Sequence, residues 1–173
     1  MTAIAQLKTT DFQKIDTPLS YGHSVSIWSV DCNVTIFPNG NENADLSILL
    51  LQVQQCLQQI NDTQKECLQS ILDADMINLA EEWVADEAFK VENEDEECYL
   101  TDEGEKVFVP IAQKDFLQSI KLQSIILVLD ENDKNPLVEL YLGCKPDYFF
   151  GHIILCRFMN SNPVHYKCCG LEG

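Results

Sequence analysis

Apolar and polar positions near the start of the chain alternate with a period of two. In SVSIWSVDCNVTIFPNG, residues 24–40, Val25 and Ile27 alternate with serines, and Val34 and Ile36 repeat the pattern. This predicts a β-hairpin with Asp31-Cys32-Asn33 as its turn and Pro38-Asn39-Gly40 as its end. The period then changes to about 3.6. After Asp45, Leu46, Leu49, Leu50, Val53, Leu57 and Ile60 fall on one helical stripe. Asn61-Asp62-Thr63 interrupts it, and Thr63 with Glu66 has the spacing of a capping box opening a second helix. The second stripe is Cys67, Leu68, Ile71, Leu72, Met76, Leu79 and Trp83, and the short connection predicts an antiparallel helix pair.

The second half of the chain is mostly strand-like. IAQKDFLQSI at 111–120 reads as a short helix. LQSIILVLD, LVELYLG, FFGHIILCRF and a shorter VHYKCCGL follow as strands, separated by ENDKNP, CKPDY and a further break. These elements predict an α+β fold: an N-terminal hairpin, a helix pair, and a C-terminal antiparallel meander forming one sheet packed on the helices. No repeat or low-complexity linker divides the chain. It reads as a single domain over 1–173, with residues 1–20 as a lead-in and 86–105 as an acidic loop.

Charge changes the picture most. Among 173 residues, 28 acids stand against 11 bases, and the net charge is −17. The stretch EEWVADEAFKVENEDEECYLTDEGE, residues 81–105, holds twelve carboxylates and one lysine and so carries −11 of that total. Arg157 is the only arginine. Such a field repels phosphate backbones and disfavours direct nucleic-acid binding, while favouring cationic partners. The N-terminus lacks a basic segment followed by an apolar one, so no secretory signal is read. The longest apolar runs, such as ILLL at 48–51, fall far short of the roughly 20 residues that span a bilayer. The expected location is the cytoplasm, where the eight cysteines are thiols packed as small hydrophobes.

Candidate chemistry is sparse. A calcium loop needs glycine at its sixth position and a bidentate glutamate at its twelfth. DEAFKVENEDEE has Val91 at position six, and DENDKNPLVELY has Asn135 there and Tyr141 at position twelve. His152 with Cys156, and His165 with Cys168 and Cys169, offer zinc-ligand atom types, but no CxxC spacing accompanies them. GxSxG, phosphate-loop and HExxH patterns are absent from the sequence. No catalytic residue, metal or cofactor is therefore predicted. Trp28 and Trp83 are expected in the core, given the apolar stripes around them.

Four short motifs carry a resemblance. Asp115-Phe116, Leu122-Gln123-Ser124-Ile125, Glu139-Leu140-Tyr141 and Phe150-Gly151-His152 are similar to those of a family of small acidic bacterial proteins classed as a domain of unknown function. The likeness spans roughly residues 22–160, including the positions of Trp28 and Trp83. That family has no established chemistry, so the resemblance implies no catalytic residues. In general type, such proteins also look like immunity proteins, which neutralise a cognate toxin.

Two functions follow as expectations. The first is an acidic cytoplasmic binding protein of immunity type, occluding a basic toxin, expected to be a nuclease, in a heterodimer. Asp86, Glu87, Glu92, Glu94, Asp95, Glu96, Glu97, Asp102 and Glu103 would stand in for phosphates, with Phe89 and Tyr99 as anchors. The second is a small metal-dependent or thiol-based enzyme or regulator using His152 and Cys156. No membrane contact is expected of either.

Overall fold

The structure is a computed structural model describing residues 4–16, 19–39, 45–92, 96–130, 136–159 and 163–173. Two 3₁₀ turns, Ile4–Gln6 and Thr9–Asp11, precede strands β1 (Gln13–Asp16), β2 (Leu19–Ile27) and β3 (Val30–Pro38). Helices α1 (Leu46–Asp62), α2 (Gln64–Asp73) and α3 (Met76–Glu87) follow. Then come short strands β4 (Phe89–Lys90), β5 (Glu97–Leu100) and β6 (Lys106–Val109), and helix α4 (Gln113–Ser119). The chain closes with β7 (Ile120–Leu129), β8 (Leu137–Cys144), β9 (Ile153–Met159) and β10 (His165–Glu172). The expected ENDKNP turn lies, but for Pro136, outside the described residues.

The α+β class holds. Seven strands form one sheet in the order β1-β2-β3-β7-β8-β9-β10, and β4-β5-β6 form a second, smaller one. The hairpin and the C-terminal meander join through a parallel pairing of β3 with β7, in register from Asn33↔Ser124 to Pro38↔Leu129. Parallel neighbours require a crossover connection, and here it holds all four helices and the small sheet. Alternate side chains of the large sheet face these helices and are buried, among them Ile27, Ile36, Ile125, Leu127, Leu140 and Phe158. Burying each such side chain contributes about 1.5–3 kcal/mol. The other face carries Ser24, Asn33, Thr35, Tyr141 and Lys167, none of them buried. On that face Arg157 Nε donates to Glu139 Oε1 at 3.0 Å, and the Tyr141 hydroxyl donates to Oε2 at 3.2 Å.

The expected hairpin turn is displaced. The register Ile27↔Val30, Ser26↔Asp31, Val25↔Cys32 puts the turn at Trp28-Ser29 and leaves Cys32 buried inside β3. Both turn residues have positive φ, 54° and 64°, the type I′ signature that usually selects Asn-Gly. Trp28 offsets the strain by clamping the end of α1. Its indole N–H donates to the Ile60 carbonyl at 2.8 Å, and its backbone N–H donates to Asn61 Oδ1 at 3.1 Å. Trp28 is accordingly half-buried at the core margin and not deep inside.

The helical layer consists of successive segments. The Asp45 carboxylate accepts from Ser47 N at 2.9 Å and caps α1, a bond that holds its carboxyl below the usual range. The stripe buries Leu46, Leu49, Val53, Cys56, Leu57 and Ile60. One residue, Thr63, separates α1 from α2, and the predicted capping box does not form. The Thr63 hydroxyl instead donates to the Gln59 carbonyl at 2.6 Å and bonds the Tyr166 hydroxyl at 2.7 Å, fastening the helix junction to β10. α1 packs over β2 and β7, and α2 over β9 and β10. A second break comes at Asp75, in the left-handed conformation with φ 59°, which Asp tolerates better than most residues.

Two predictions follow from this packing. Trp28→Phe removes the indole donor from a carbonyl in the last turn of α1, and should cost about 1 kcal/mol in a chemical denaturation experiment. Burial pushes the thiols of Cys32 and Cys56 from 9.0 to about 11, and that of Cys144 to about 12. Above pH 9 the unfolded chain loses these protons while the folded chain keeps them. Stability is therefore complete below pH 9 and falls as pH rises through about 11. Thermal melts across this window should show the decline, and Cys56→Ala should make it shallower.

Candidate functional site

The segment expected as an acidic loop folds into the small sheet. A charged residue followed by three apolar ones makes each longer strand, Glu97-Cys98-Tyr99-Leu100 and Lys106-Val107-Phe108-Val109, and Thr101–Glu105 makes the turn between them. Within that turn Thr101 N donates to the Glu105 carbonyl at 3.0 Å, and Gly104, with φ 77°, donates to Thr101 O at 2.8 Å. Antiparallel pairing sets Cys98 opposite Phe108, Tyr99 opposite Val107, Phe89 opposite Leu100 and Lys90 opposite Tyr99. Directly opposed residues share a face, so the two sides of the sheet are defined.

The inner side belongs to the fold. Tyr99 and Val107 are 6% and 3% exposed and join the same core as α1 and the large sheet. Tyr99 donates its hydroxyl to Glu97 Oε1 at 2.8 Å, and Lys90 Nζ reaches the same oxygen at 2.6 Å. The lysine's hydrogen bond and charge, with the Tyr99 bond, hold the Glu97 carboxyl below its ordinary range, and Glu97 holds the Lys90 ammonium above its own. Tyr99 is thus a structural residue; the expectation that it anchors a partner is corrected by its burial.

The outer side is different. Phe89 is 70% exposed and Phe108 45%, and between their strands lies Cys98, fully buried yet outside the main core. Around these rings stand exposed carboxylates. Asp86 and Glu87 close α3, whose last turn has no base. At that negative end of the helix dipole each carboxylate costs about 0.3–1 kcal/mol, so they do not serve the helix. Glu92, Glu96, Asp102 and Glu103 are exposed on the connections of the small sheet. Among the described residues no basic side chain pairs with Asp86, Glu87, Glu92, Glu96 or Asp102, whereas Glu103 and Glu105 each lie 3.8 Å from Lys145. Glu94 and Asp95 lie outside the described residues.

Sequence reasoning missed Phe108. Its signal is the short apolar, β-branched run Val107-Phe108-Val109 directly after the Gly104 turn, obscured by the acidic composition around it.

His152 and Cys156 are not brought into one site. The His152 ring packs edge-on against Trp83 at 4.8 Å, and Nδ1 lies 3.1 Å from the Phe149 carbonyl. It belongs to a turn built by Asp147, whose carboxylate accepts from Phe149 N at 3.1 Å and Gly151 N at 2.7 Å. Phe150 and Gly151 both take positive φ there, 51° and 91°. Cys156 lies buried on β9 opposite Cys168. A hydrogen bond with Cys168 pulls its thiol down, but a second with Cys67, together with burial, more than offsets it and holds the thiol above its ordinary range. Such a group is a poor nucleophile and gives up its proton reluctantly to a metal. Among the described residues no three His, Cys, Asp or Glu side chains are placed to hold a metal ion.

These features define an α+β protein with helices on one face of a mixed sheet and an acidic, aromatic-bearing sheet appended to its core. The chain belongs to the family described as uncharacterized protein conserved in bacteria (DUF2262), whose model matches residues 14–166, from β1 into β10. No curated protein and no solved structure matches it. The motifs behind the resemblance are structural here. Phe116 is fully buried against Tyr148 and Phe149, with ring centroids at 5.8 and 6.5 Å, and Glu139 accepts from both Arg157 and Tyr141. Among the described residues no helix is long and apolar enough to cross a membrane.

The two sides of the small sheet should respond oppositely to truncation. Phe89→Ala should change stability by no more than about 0.5 kcal/mol, whereas Tyr99→Ala should cost about 3 kcal/mol or more. Urea denaturation of both variants checks this.

Proposed function

We propose that the protein is a cytoplasmic binding protein of immunity type, and that the outer face of the small sheet docks a basic toxin of nuclease type. The observation supporting this reading is the pairing of two exposed phenylalanines on one face with flanking exposed carboxylates that have no basic partner among the described residues. An enzyme that cleaves RNA or DNA presents a positive cleft to phosphate. Asp86, Glu87, Glu92, Glu96 and Asp102 would enter that field in place of phosphates, with Glu94 and Asp95 adding charge from the same stretch. Complementary fields of this kind raise association rates by orders of magnitude. Phe89 and Phe108 supply what charge alone does not, an apolar centre desolvated on contact. The sheet bearing them is fixed to the core through Tyr99 and Val107, so little ordering cost attends docking.

The reading is tested by affinity purification from the native host at low and high salt. The wild-type chain should retain a basic protein that salt releases, and adding the chain should suppress that protein's cleavage of RNA or DNA. Converting Asp86, Glu87, Glu92 and Glu96 to amides should slow association about ten-fold at low salt. Phe89→Ala with Phe108→Ala should instead speed dissociation. Recovery of no basic protein, or of one that binds all variants equally, overturns the proposal.

A further inference from the structure

Beside the outer face, a groove of about 540 Å³ runs between β6, α4 and the turn before β9, lined among others by Glu96, Phe108, Asp115, Lys145 and Tyr148. Its volume lies in the range of ligand-binding clefts, about 300–1,000 Å³. One wall is a sheet edge. β6 is the last strand of the small sheet, and no described strand lies beyond it. Hydrogen-bonded and non-bonded pairs alternate along an antiparallel ladder. Because Thr101 N bonds Glu105 O, the pairs Tyr99/Val107 and Glu97/Val109 are the bonded ones, and Cys98/Phe108 is not. The bond from Val91 N to the Cys98 carbonyl at 2.9 Å, on the other side of β5, confirms this phase. The backbone N–H and C=O of Phe108 therefore point away from β5, at the free edge.

The groove's charges are unevenly satisfied. Of its four charged side chains, Lys145 lies 3.8 Å from both Glu103 and Glu105, and Lys106 is engaged within the chain. Glu96 and Asp115 have no basic partner among the described residues. The groove thus offers an open backbone edge, an apolar wall of Phe108, Ile111, Pro146 and Tyr148, and two unneutralised carboxylates.

We infer that this groove takes an extended, basic segment of a protein partner, which adds as a fourth strand to the free edge of β6. This inference rests on the reading of the outer face as a dock for a basic protein, since groove and face share Phe108 and Glu96. An added strand supplies the donor and acceptor that Phe108 lacks, as in peptide recognition by strand addition. Its side chains alternate, one set meeting the apolar wall and the other the carboxylates. Pro110, which has no N–H, limits the pairing to the length of β6, so the segment is short.

The test uses the full chain, isotope-labelled, with an acetylated hexapeptide of alternating lysine and valine and the same peptide N-methylated at alternate backbone nitrogens. The unmodified peptide should shift the Phe108 amide resonance and slow its hydrogen exchange about ten-fold or more, and the N-methylated peptide should do neither. Glu96→Gln with Asp115→Asn, both exposed positions, should weaken the peptide about five-fold, and Phe89→Ala should leave it unchanged. An unmoved Phe108 amide at millimolar peptide, equal binding of the N-methylated peptide, or indifference to both charge changes overturns strand addition. If that happens while Phe89→Ala still releases a basic protein partner, the groove inference alone fails. A peptide seated in the groove with no basic protein partner leaves the groove standing and removes the outer-face reading.

Discussion

The parallel pairing of β3 with β7 governs how the rest of the molecule is arranged. A hairpin and an antiparallel meander can each form locally, but two parallel neighbours must be joined by a chain that leaves the sheet and returns. That return takes residues 39–119 and carries all four α-helices of the described residues. The helices cover one face of the large sheet, and the other face remains without a second layer among the described residues. The small sheet arises within the same crossover, between α3 and α4. It has too few strands to stand alone and is stabilised by docking its inner side on a core already assembled.

This dependence explains how so much negative charge is tolerated. Carboxylates packed into a short segment repel one another and would favour an extended chain. Here short apolar runs within and just after the segment find partners. Tyr99 and Val107 enter the core, and the Ile111 N–H donates to Glu81 Oε1 at 2.6 Å, tying the strand exit back to α3. Lys90 and Lys145 offset a part of the charge from outside the core, and Asp86, Glu87, Glu92, Glu96 and Asp102 face solvent. The sheet holds its acids in fixed positions at a modest cost, which distinguishes it from a charged tail.

The sequence pattern made some of this legible and hid the rest for definite reasons. The period of 3.6 after Asp45 and the β-branched runs after Leu122 arise from burial on one face, and both appear in the structure as expected. The break at Thr63 was also legible, but its chemistry was not, because the Tyr166 hydroxyl that binds it lies 103 residues away. The Trp28-Ser29 turn has no sequence signature of type I′; a contact with the end of α1 selects it. The small sheet reads as a loop in the sequence because acidic composition outweighs the short apolar runs Cys98-Tyr99-Leu100 and Val107-Phe108-Val109. Of the residues proposed for contact, Phe89, Asp86, Glu87, Glu92, Glu96, Asp102 and Glu103 are exposed, while Tyr99 shows that an aromatic within an acidic run can belong to the core.

A last comparison separates the outer face of the small sheet from the open face of the large one. Both leave apolar atoms in contact with water, but the large sheet satisfies its own surface. Arg157, Glu139 and Tyr141 link into a network across β8 and β9, and neighbouring side chains leave residues such as Ile126, Val128 and Leu155 only half-exposed. Scattered apolar exposure of this kind is ordinary for a protein surface. On the small sheet Phe89 is 70% exposed on a strand of two residues, beside acids that gain nothing from the helix end they occupy. Neither the aromatic nor the charges contribute to folding there. The proposed contact outside the chain would give both a physical role, and the shortness of the strand keeps that exposed face too small to pair indiscriminately with other sheets.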